Sequence, residues 1–519
     1  MAVANAEVDV LIVGGGPVGL TARALLERWG VRVLLVEKHA ELSPFPRSRL
    51  VNVRSMEIYR QLGLADRIAA NAFAPEYARV RFRDTLHDRD FATAAMVGVN
   101  APVPESPVIG VVSSQDRLEP TLLAAADAEV RFGVELVDLA EEAGSVVALL
   151  ADHRRGEETR VRARYVLAAD GASSTVRPLL GIGTEGPGAL GGFTTVVFDA
   201  DLDRWCADQP AGVYFTPHGS FAPLYPEGGW AWFGATPEDV ADADWPDVVS
   251  RALGPRADVQ AEVLRVQHWV MNAFVAERFR HGRVLLAGDA AHALPIIGGL
   301  GMNTGLADVH NLCWKLAGVL HGWAEPGLLE SYETERHPVA LRTLRQAVAN
   351  TELMVQVLTR RRDQLQSGEP ASSELELPWS ERYFAQLGLV LGVSYDSAAV
   401  LTGDGTPPQP PDGATDYVPT AEPGHRMPHF WLTPDRSTLD AFGEWFTLLT
   451  PDPTRWAQHT YTHRPLRVEP LPKEHADLCG IHPRGALLIR PDGHIGARWD
   501  DHPSSDGTLH HALTALTRG

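Results

Sequence analysis

What most restricts the fold of this chain is a glycine pattern set between two apolar runs at its start. Val8-Asp9-Val10-Leu11-Ile12-Val13 has the make-up of a buried parallel strand, Pro17 to Trp29 has the apolar spacing of a helix, and Val31 to Val36 is a second apolar strand. Between strand and helix stand Gly14, Gly16 and Gly19, the G-x-G-x-x-G arrangement that lets backbone approach a pyrophosphate and leaves its charge at the helix N-terminus. Glu37 follows Gly19 by 18 residues, close to the spacing expected for a carboxylate that accepts hydrogen bonds from a ribose hydroxyl. Glycines needed for packing alone would not call for an acid in that register. The start of the chain therefore predicts a doubly wound α/β sheet holding an adenine dinucleotide, with Gly14, Gly16, Pro17, Gly19 and Glu37 at the cofactor. NAD and FAD share this fingerprint, so it does not choose between them.

A second pattern bears on that choice. Arg283 to Ala287 is strand-like, Gly288-Asp289 follows directly, and Gly298-Gly299-Leu300-Gly301-Met302-Asn303 opens a helix running to Val319. A carboxylate at Asp289 suits ribityl hydroxyls, and amides at Gly301, Met302 and Asn303 suit the electron-rich pyrimidine edge of a reduced flavin. Here the chain resembles the aromatic-hydroxylase class of flavoprotein monooxygenases, whose GD motif looks like Gly288-Asp289 and whose DG motif looks like Ala169-Asp170-Gly171 and the run on to Arg177. The resemblance implies that Asp170 serves FAD and nicotinamide binding. It also implies that Arg47, in Pro46-Arg47-Ser48, lies near FAD or the incoming nicotinamide cofactor, and that Gln115 contacts the flavin's sugar chain. Asn311 to Ala317, Ser331-Tyr332-Glu333 and Glu335-Arg336-His337-Pro338 look like the family's closing helices. Tyr395-Asp396-Ser397, Pro423 to His429 and Ser437 to Asp440 resemble the aromatic polyketide hydroxylases, which carry a C-terminal thioredoxin-like domain. One departure stands out: the family has two consecutive prolines after the histidine of the GD motif, whereas here Pro295 is followed by Ile296, which keeps a carbonyl but loses the fixed φ that aims it.

Length divides the chain further, since 519 residues exceed one ordinary core. The expected units are a first part of the FAD-binding domain at 1–182, a substrate-binding sheet domain at 183–279, a second FAD-binding part with closing helices at 280–400, a linker at 401–423 rich in Pro, Gly and Asp, and a thioredoxin-like domain at 424–519. The sheet domain is marked by aromatics, and Tyr214, Phe215, Phe221, Tyr225, Trp230 and Trp232, with Pro295 and Ile296, are the expected walls of a cavity for a flat polycyclic substrate; plain sheet core is the competing reading of each aromatic alone. Cys206, Cys313 and Cys479 show no CxxC spacing, so the last domain is expected to be structural or associative, not a disulfide exchanger, and a reducing cytoplasm fits.

A formal charge of −20 argues against nucleic acid and anionic lipid as partners, and no apolar stretch reaches membrane-spanning length. His510 with His511, and His425 with His429, give no metal ligand set, and His292 is read as structural. The resemblance implies reduction of FAD by NADPH or NADH, reaction with O2 to a C4a-hydroperoxyflavin, and transfer of one oxygen atom to a phenolic ring, in a monomer or homodimer. No catalytic side chain is assigned, because the cofactor supplies the reactivity. Baeyer-Villiger insertion on the same scaffold, or a flavin-binding partner protein without turnover, are the alternatives.

Overall fold

The computed structural model describes residues 5–96, 98–254, 259–370, 375, 386–402, 416–457, 463–501 and 507–518. At its centre lies the strand Asn5–Val13, paired in parallel with Val33–Glu37 on one side and with Glu157–Ala168 on the other. Glu129–Phe132 extends the sheet beyond Val33–Glu37, and Val284–Leu286 extends it beyond Glu157–Ala168. Val10 to Val13, Leu34 to Val36, Val166 to Ala168 and Val284 to Leu286 are all buried, as expected of continuous apolar runs in a sheet covered on both faces. One covering helix, Pro17–Arg28, packs against a second, Gly301–His321. The chain adds strands on one side of Asn5–Val13 before crossing to the other, so the reversal point lies at residue 14, beside Ala169 and Asp170.

The second sheet has eight strands in the order His292–Ala293, Glu262–Ala276, Thr184–Asp199, Gly228–Ala235, Gly219–Tyr225, Val213–Thr216, Arg79–Arg83 and Asp90–Ala95. It is wider than the 183–279 span expected for it. Arg79–Arg83 and Asp90–Ala95 come from inside the first 182 residues, with Arg79–Arg83 parallel to Val213–Thr216, and His292–Ala293 comes from the GD loop. The helix Trp245–Leu253 closes the back of this sheet through Val249, Ala252 and Leu253.

The last unit is a four-stranded sheet in the order Leu466–Pro470, Phe446–Thr450, Ala486–Ile489, Ile495–Trp499. Its first pair is parallel and the rest antiparallel, with helix Thr508–Leu516 following: a thioredoxin-like arrangement. Residues 403–415 of the expected linker lie outside the described residues, but Tyr417 is packed with Val53, Val103, Leu387 and Leu391. The unit shares its core with the first domain: Phe446 meets Trp314 edge-on, with ring centroids 5.7 Å apart, and Leu513 and Leu516 join the same cluster. A buried charge cluster reinforces this seam. Arg490 donates to Glu335 at 2.6 and 2.8 Å, Lys315 to Glu335 at 2.7 Å, and Trp314 and Asn311 reach Asp492. Cys206, Cys313 and Cys479 are all buried free thiols. Among the described residues no helix is long and apolar enough to cross a membrane, and no group of three or more His, Cys, Asp and Glu is placed to hold a metal ion.

Candidate active site

A cavity of about 1200 Å³ runs from the carboxyl ends of the parallel strands to the face of the second sheet. At its first end the glycines act as the turn demands. Gly14 has φ +109°, and a Cβ there would stand 2.2 Å from the Ala169 carbonyl oxygen; one at Gly19 would stand 2.0 Å from that of Gly14. Gly16, whose Cβ would meet nothing within 4 Å, lines the cavity with Gly14 and Pro17 and begins the helix. Gly19 does not line it and serves the close packing of helix on strand. Glu37 fixes the turn, its carboxylate accepting the Gly15 amide at 2.7 Å and the His39 amide at 2.9 Å, with lone pairs left for hydroxyl donors.

Arg47, Gln115, Asp170 and Asp289 all line the same cavity. Gln115 is oriented from both ends: its Oε1 accepts the Ser48 amide at 3.3 Å and its Nε2 donates to Glu119 at 2.7 Å. Asp170 caps the short helix after it, accepting the Thr175 and Val176 amides at 2.8 and 3.1 Å through Oδ2, while its Oδ1 is buried without a partner. Arg177 ties this loop to the GD loop by donating to the carbonyls of Ala290 and Ala172. Asp289 opens onto the cavity; burial raises its carboxyl above the usual value, partly countered by His292 and Arg47.

Behind Asp289 lies a buried cluster that sequence reasoning did not foresee. Asp308 accepts the Gly288 amide at 3.1 Å, His292 Nε2 lies 2.6 Å from it, and Arg336 donates to it at 2.8 Å. Burial alone would raise the Asp308 carboxyl, but His292 and Arg336 hold it below its usual range. Arg336 continues to the Thr304 carbonyl and the Tyr395 hydroxyl. His292 thus has a partner and a scaffold role, and the carboxylate that aims Gly288 also fixes the helix Gly301–His321. That helix's hydrogen-bond ladder begins at Thr304 N to Leu300 O, 2.9 Å, so the amides of Gly301, Met302 and Asn303 precede it. Gly301 and Met302 line the cavity, whereas Asn303 does not. Asn303 spends its side chain on protein: its Oδ1 accepts the Asn52 amide and the Ser55 hydroxyl, and its Nδ2 donates to the Leu50 and Gly299 carbonyls. Glu119 was missed as well. It lies in the cavity wall with Oε2 unpartnered, and burial pushes its carboxyl up to about 7.

The far wall corrects the expectation for the aromatics. Successive residues of a strand face opposite ways, and registered neighbours share a face. Gln267, Thr195, Phe233, Ser220 and Phe215 form one row across the sheet, and all line the cavity. Tyr214, Phe221, Trp230 and Trp232 belong to the opposite face, in a core with Val196, Phe198, Val249 and Leu253. They are sheet core, not pocket walls. Tyr225 also leaves the cavity, donating to Asp116 at 2.5 Å with Arg117 over its ring. Trp269, absent from the expected set, lines the cavity, stacked on Phe193 at 5.3 Å and donating to Thr195 at 3.0 Å. Pro295 and Ile296 line it too. Ile296 is 47% exposed, and its carbonyl accepts the Gly299 amide at 3.0 Å, so a backbone bond orients that carbonyl where a second proline is lacking.

This set fits FAD: an elongated cavity, glycines clear of side chains at one end, the unpartnered Asp170 Oδ1 and Glu119 Oε2, and helix-start amides beside Asp289. Comparison with known proteins agrees. Residues 7–347 match the family model of an FAD binding domain, and residues 420–517 match that of the aromatic-ring hydroxylase C-terminal region. The chain is 36% identical over 482 residues to aklavinone 12-hydroxylase DnrF of Streptomyces peucetius, covering 88% of this chain and 94% of that protein. Among solved structures it is similar to the flavin-dependent monooxygenase PieE in complex with FAD and substrate, with TM-score 0.88, 31% identity and 99% of each chain covered. It is similar also to aklavinone-11 hydroxylase in a ternary complex with FAD and aklavinone, with TM-score 0.84, 32% identity and 99% of each chain covered. The chain belongs to the FAD-dependent aromatic-ring hydroxylases of the polyketide hydroxylase type, and it is an FAD-dependent aromatic monooxygenase.

Proposed function

We propose that the protein hydroxylates a polycyclic aromatic of the polyketide type, using NADPH or NADH and O2. The observation that carries this reading is the single cavity joining the dinucleotide motifs to the row Gln267, Thr195, Phe233, Ser220 and Phe215. Gly14, Gly16 and Pro17 would hold the pyrophosphate, Glu37 the adenosine ribose, Gln115 and Asp289 the ribityl chain, and the amides of Gly301 and Met302 the ring's pyrimidine edge, with Arg47 beside it. When bound, FAD reduced by the nicotinamide supplies the oxygen-activating chemistry. The protein's own part is to orient the ring system between Phe233, Phe215 and Trp269 and to keep water from the reacting oxygen with apolar walls such as Ile296 and Met302. Reconstitution with FAD, NADPH and ¹⁸O2 in the presence of hydroxylated anthraquinones tests this. Substrate-dependent NADPH consumption with one ¹⁸O on a ring carbon is expected. Hydrogen peroxide alone for every compound, or a labelled ester from a ketone, contradicts it.

A further inference from the structure

One cation in the cavity wall has no anion of its own. Arg49 lines the cavity next to the second sheet, where its Nη1 donates to the Gly212 carbonyl at 2.7 Å and its Nη2 to the Pro223 carbonyl. Its guanidinium also lies 5.9 Å from the Phe73 ring centroid, and its Nε is buried with no partner. Among the described residues no carboxylate is within ion-pair distance. Arg49 is half-buried, whereas the fully buried guanidiniums of this chain close on acids: Arg83 on Asp90, Arg336 on Asp308, Arg361 on Asp84, Arg426 on Glu57, and Arg490 on Glu335 and Asp492. Arg23 does not, but its Nε, Nη1 and Nη2 all bond helix-end carbonyls, and it does not line the cavity. Asp116, the acid whose charge acts most on Arg49, accepts the Tyr225 hydroxyl through Oδ2 and lies beyond ion-pair distance of the guanidinium.

The strands beside Arg49 contribute Gly212, Val213, Phe215, Ser220 and Ala222 to the cavity, with no acidic side chain. Burial lowers the Arg49 guanidinium to about 10, so it stays charged at neutral pH. A charge held partly out of water is costly unless an opposite charge meets it, and a ligand entering the cavity is where that charge would come from. Arg47, two residues earlier, acts on Glu119 and Asp289 at the cofactor end instead.

We propose that Arg49 binds an anionic oxygen of the substrate, a carboxylate or ionised phenol carried on the aromatic ring system, and so selects acidic aromatics. The proposal rests on the reading of the sheet wall as the substrate site. Its test uses the FAD-loaded protein and two matched probe pairs: anthraquinone-2-carboxylate against 2-(hydroxymethyl)anthraquinone, and 2-hydroxyanthraquinone against 2-methoxyanthraquinone. Binding is followed by perturbation of the flavin spectrum. The acidic member of at least one pair is expected to bind about tenfold or more tightly than its neutral partner, the value of one charge-assisted hydrogen bond. Preference in the first pair identifies a carboxylate, and in the second a phenolate. Arg49→Gln should abolish the preference while leaving FAD content and neutral-probe affinity unchanged, and Arg49→Lys should keep part of it. Equal binding within both pairs by the unaltered protein, or a preference that survives in Arg49→Gln, overturns the assignment and leaves the polycyclic-substrate reading standing. Failure of all four probes to bind overturns both.

Discussion

Asp308 offers the sharpest test of how this site is built, because one buried carboxylate serves three donors. Replacing it by asparagine keeps its shape but removes the charge that Arg336 meets at 2.8 Å, and it presents an NH2 either to Arg336 or to the Gly288 amide and His292. Either orientation sets donor against donor. Leaving a buried cation without its partner costs about 3–5 kcal/mol. The Gly288 contact carries a second cost, since it aims the residue before Asp289; a hydrogen bond to a charged group is worth about 1.5–3 kcal/mol, so FAD should bind about tenfold or more weakly. Removing both charges, as Asp308→Asn with Arg336→Met, should recover part of the loss, with a coupling of about 1–3 kcal/mol. Urea unfolding followed by circular dichroism, alongside FAD titration of the stripped protein, measures both quantities. A loss under about 1 kcal/mol in the single variant, or strict additivity in the double, would refute the account of Asp308 as the pivot between GD loop and helix.

Other consequences can be checked separately. Gly14→Val, at φ +109° with a Cβ 2.2 Å from the Ala169 oxygen, should give protein with little flavin absorbance, as should Asp289→Ala by loss of the carboxylate; full retention of yellow cofactor in either would displace that residue from the site. Trp232→Ala, cutting into sheet core, should cost about 3–5 kcal/mol of stability with the product unchanged, whereas Phe233→Ala, one residue on and facing the cavity, should weaken substrate binding with little change in stability. Because burial raises the Glu119 carboxyl to about 7 in the fold, its share of stability is complete below about pH 4.5 and is lost as pH rises to about 7. Glu119→Gln should remove that slope from stability measured against pH. Glu335 behaves oppositely: burial would raise it, but Arg490 and Lys315 hold it at about 2, so its contribution is present above about pH 4.5 and falls away between there and about 2. An acid limb of unfolding unchanged in Glu335→Gln would count against this.

The elements that the sequence displays most clearly are those built from neighbours in the chain. The runs at Val10 to Val13, Val166 to Ala168 and Ala486 to Ile489 are buried on both faces and therefore look apolar throughout, and each falls in a strand. What depends on distant partners could not be seen. Asp308 is an unremarkable helix residue until Gly288, His292 and Arg336 converge on it, and Arg490 carries no mark of Glu335, 155 residues away. The aromatic wall failed for another reason. Strand residues alternate between faces, and nothing local says which face of 213–235 meets the cavity, so Tyr214 and Trp232 were expected at the cavity together with Phe215, and Phe233 was not. The sheet's outer strands, Arg79–Arg83 and Asp90–Ala95, reach it across more than a hundred residues of intervening chain, which hid its true width.

The order in which the parallel strands are laid down also bears on how the chain is made. Asn5–Val13 is made before the strands it pairs with, and one of its edges stays bare until Glu157–Ala168 has been synthesised. At about 5–20 residues per second that interval lasts roughly ten to thirty seconds, and pairing of strands so far apart is itself slow. Gly14 cannot meet Ala169 any sooner, so the turn proposed to hold the pyrophosphate waits until about a third of the chain has been made. Throughout that time an apolar strand edge is open to other nascent chains. Expression should therefore be more sensitive to chaperone supply and growth temperature than the stability of the finished enzyme would suggest.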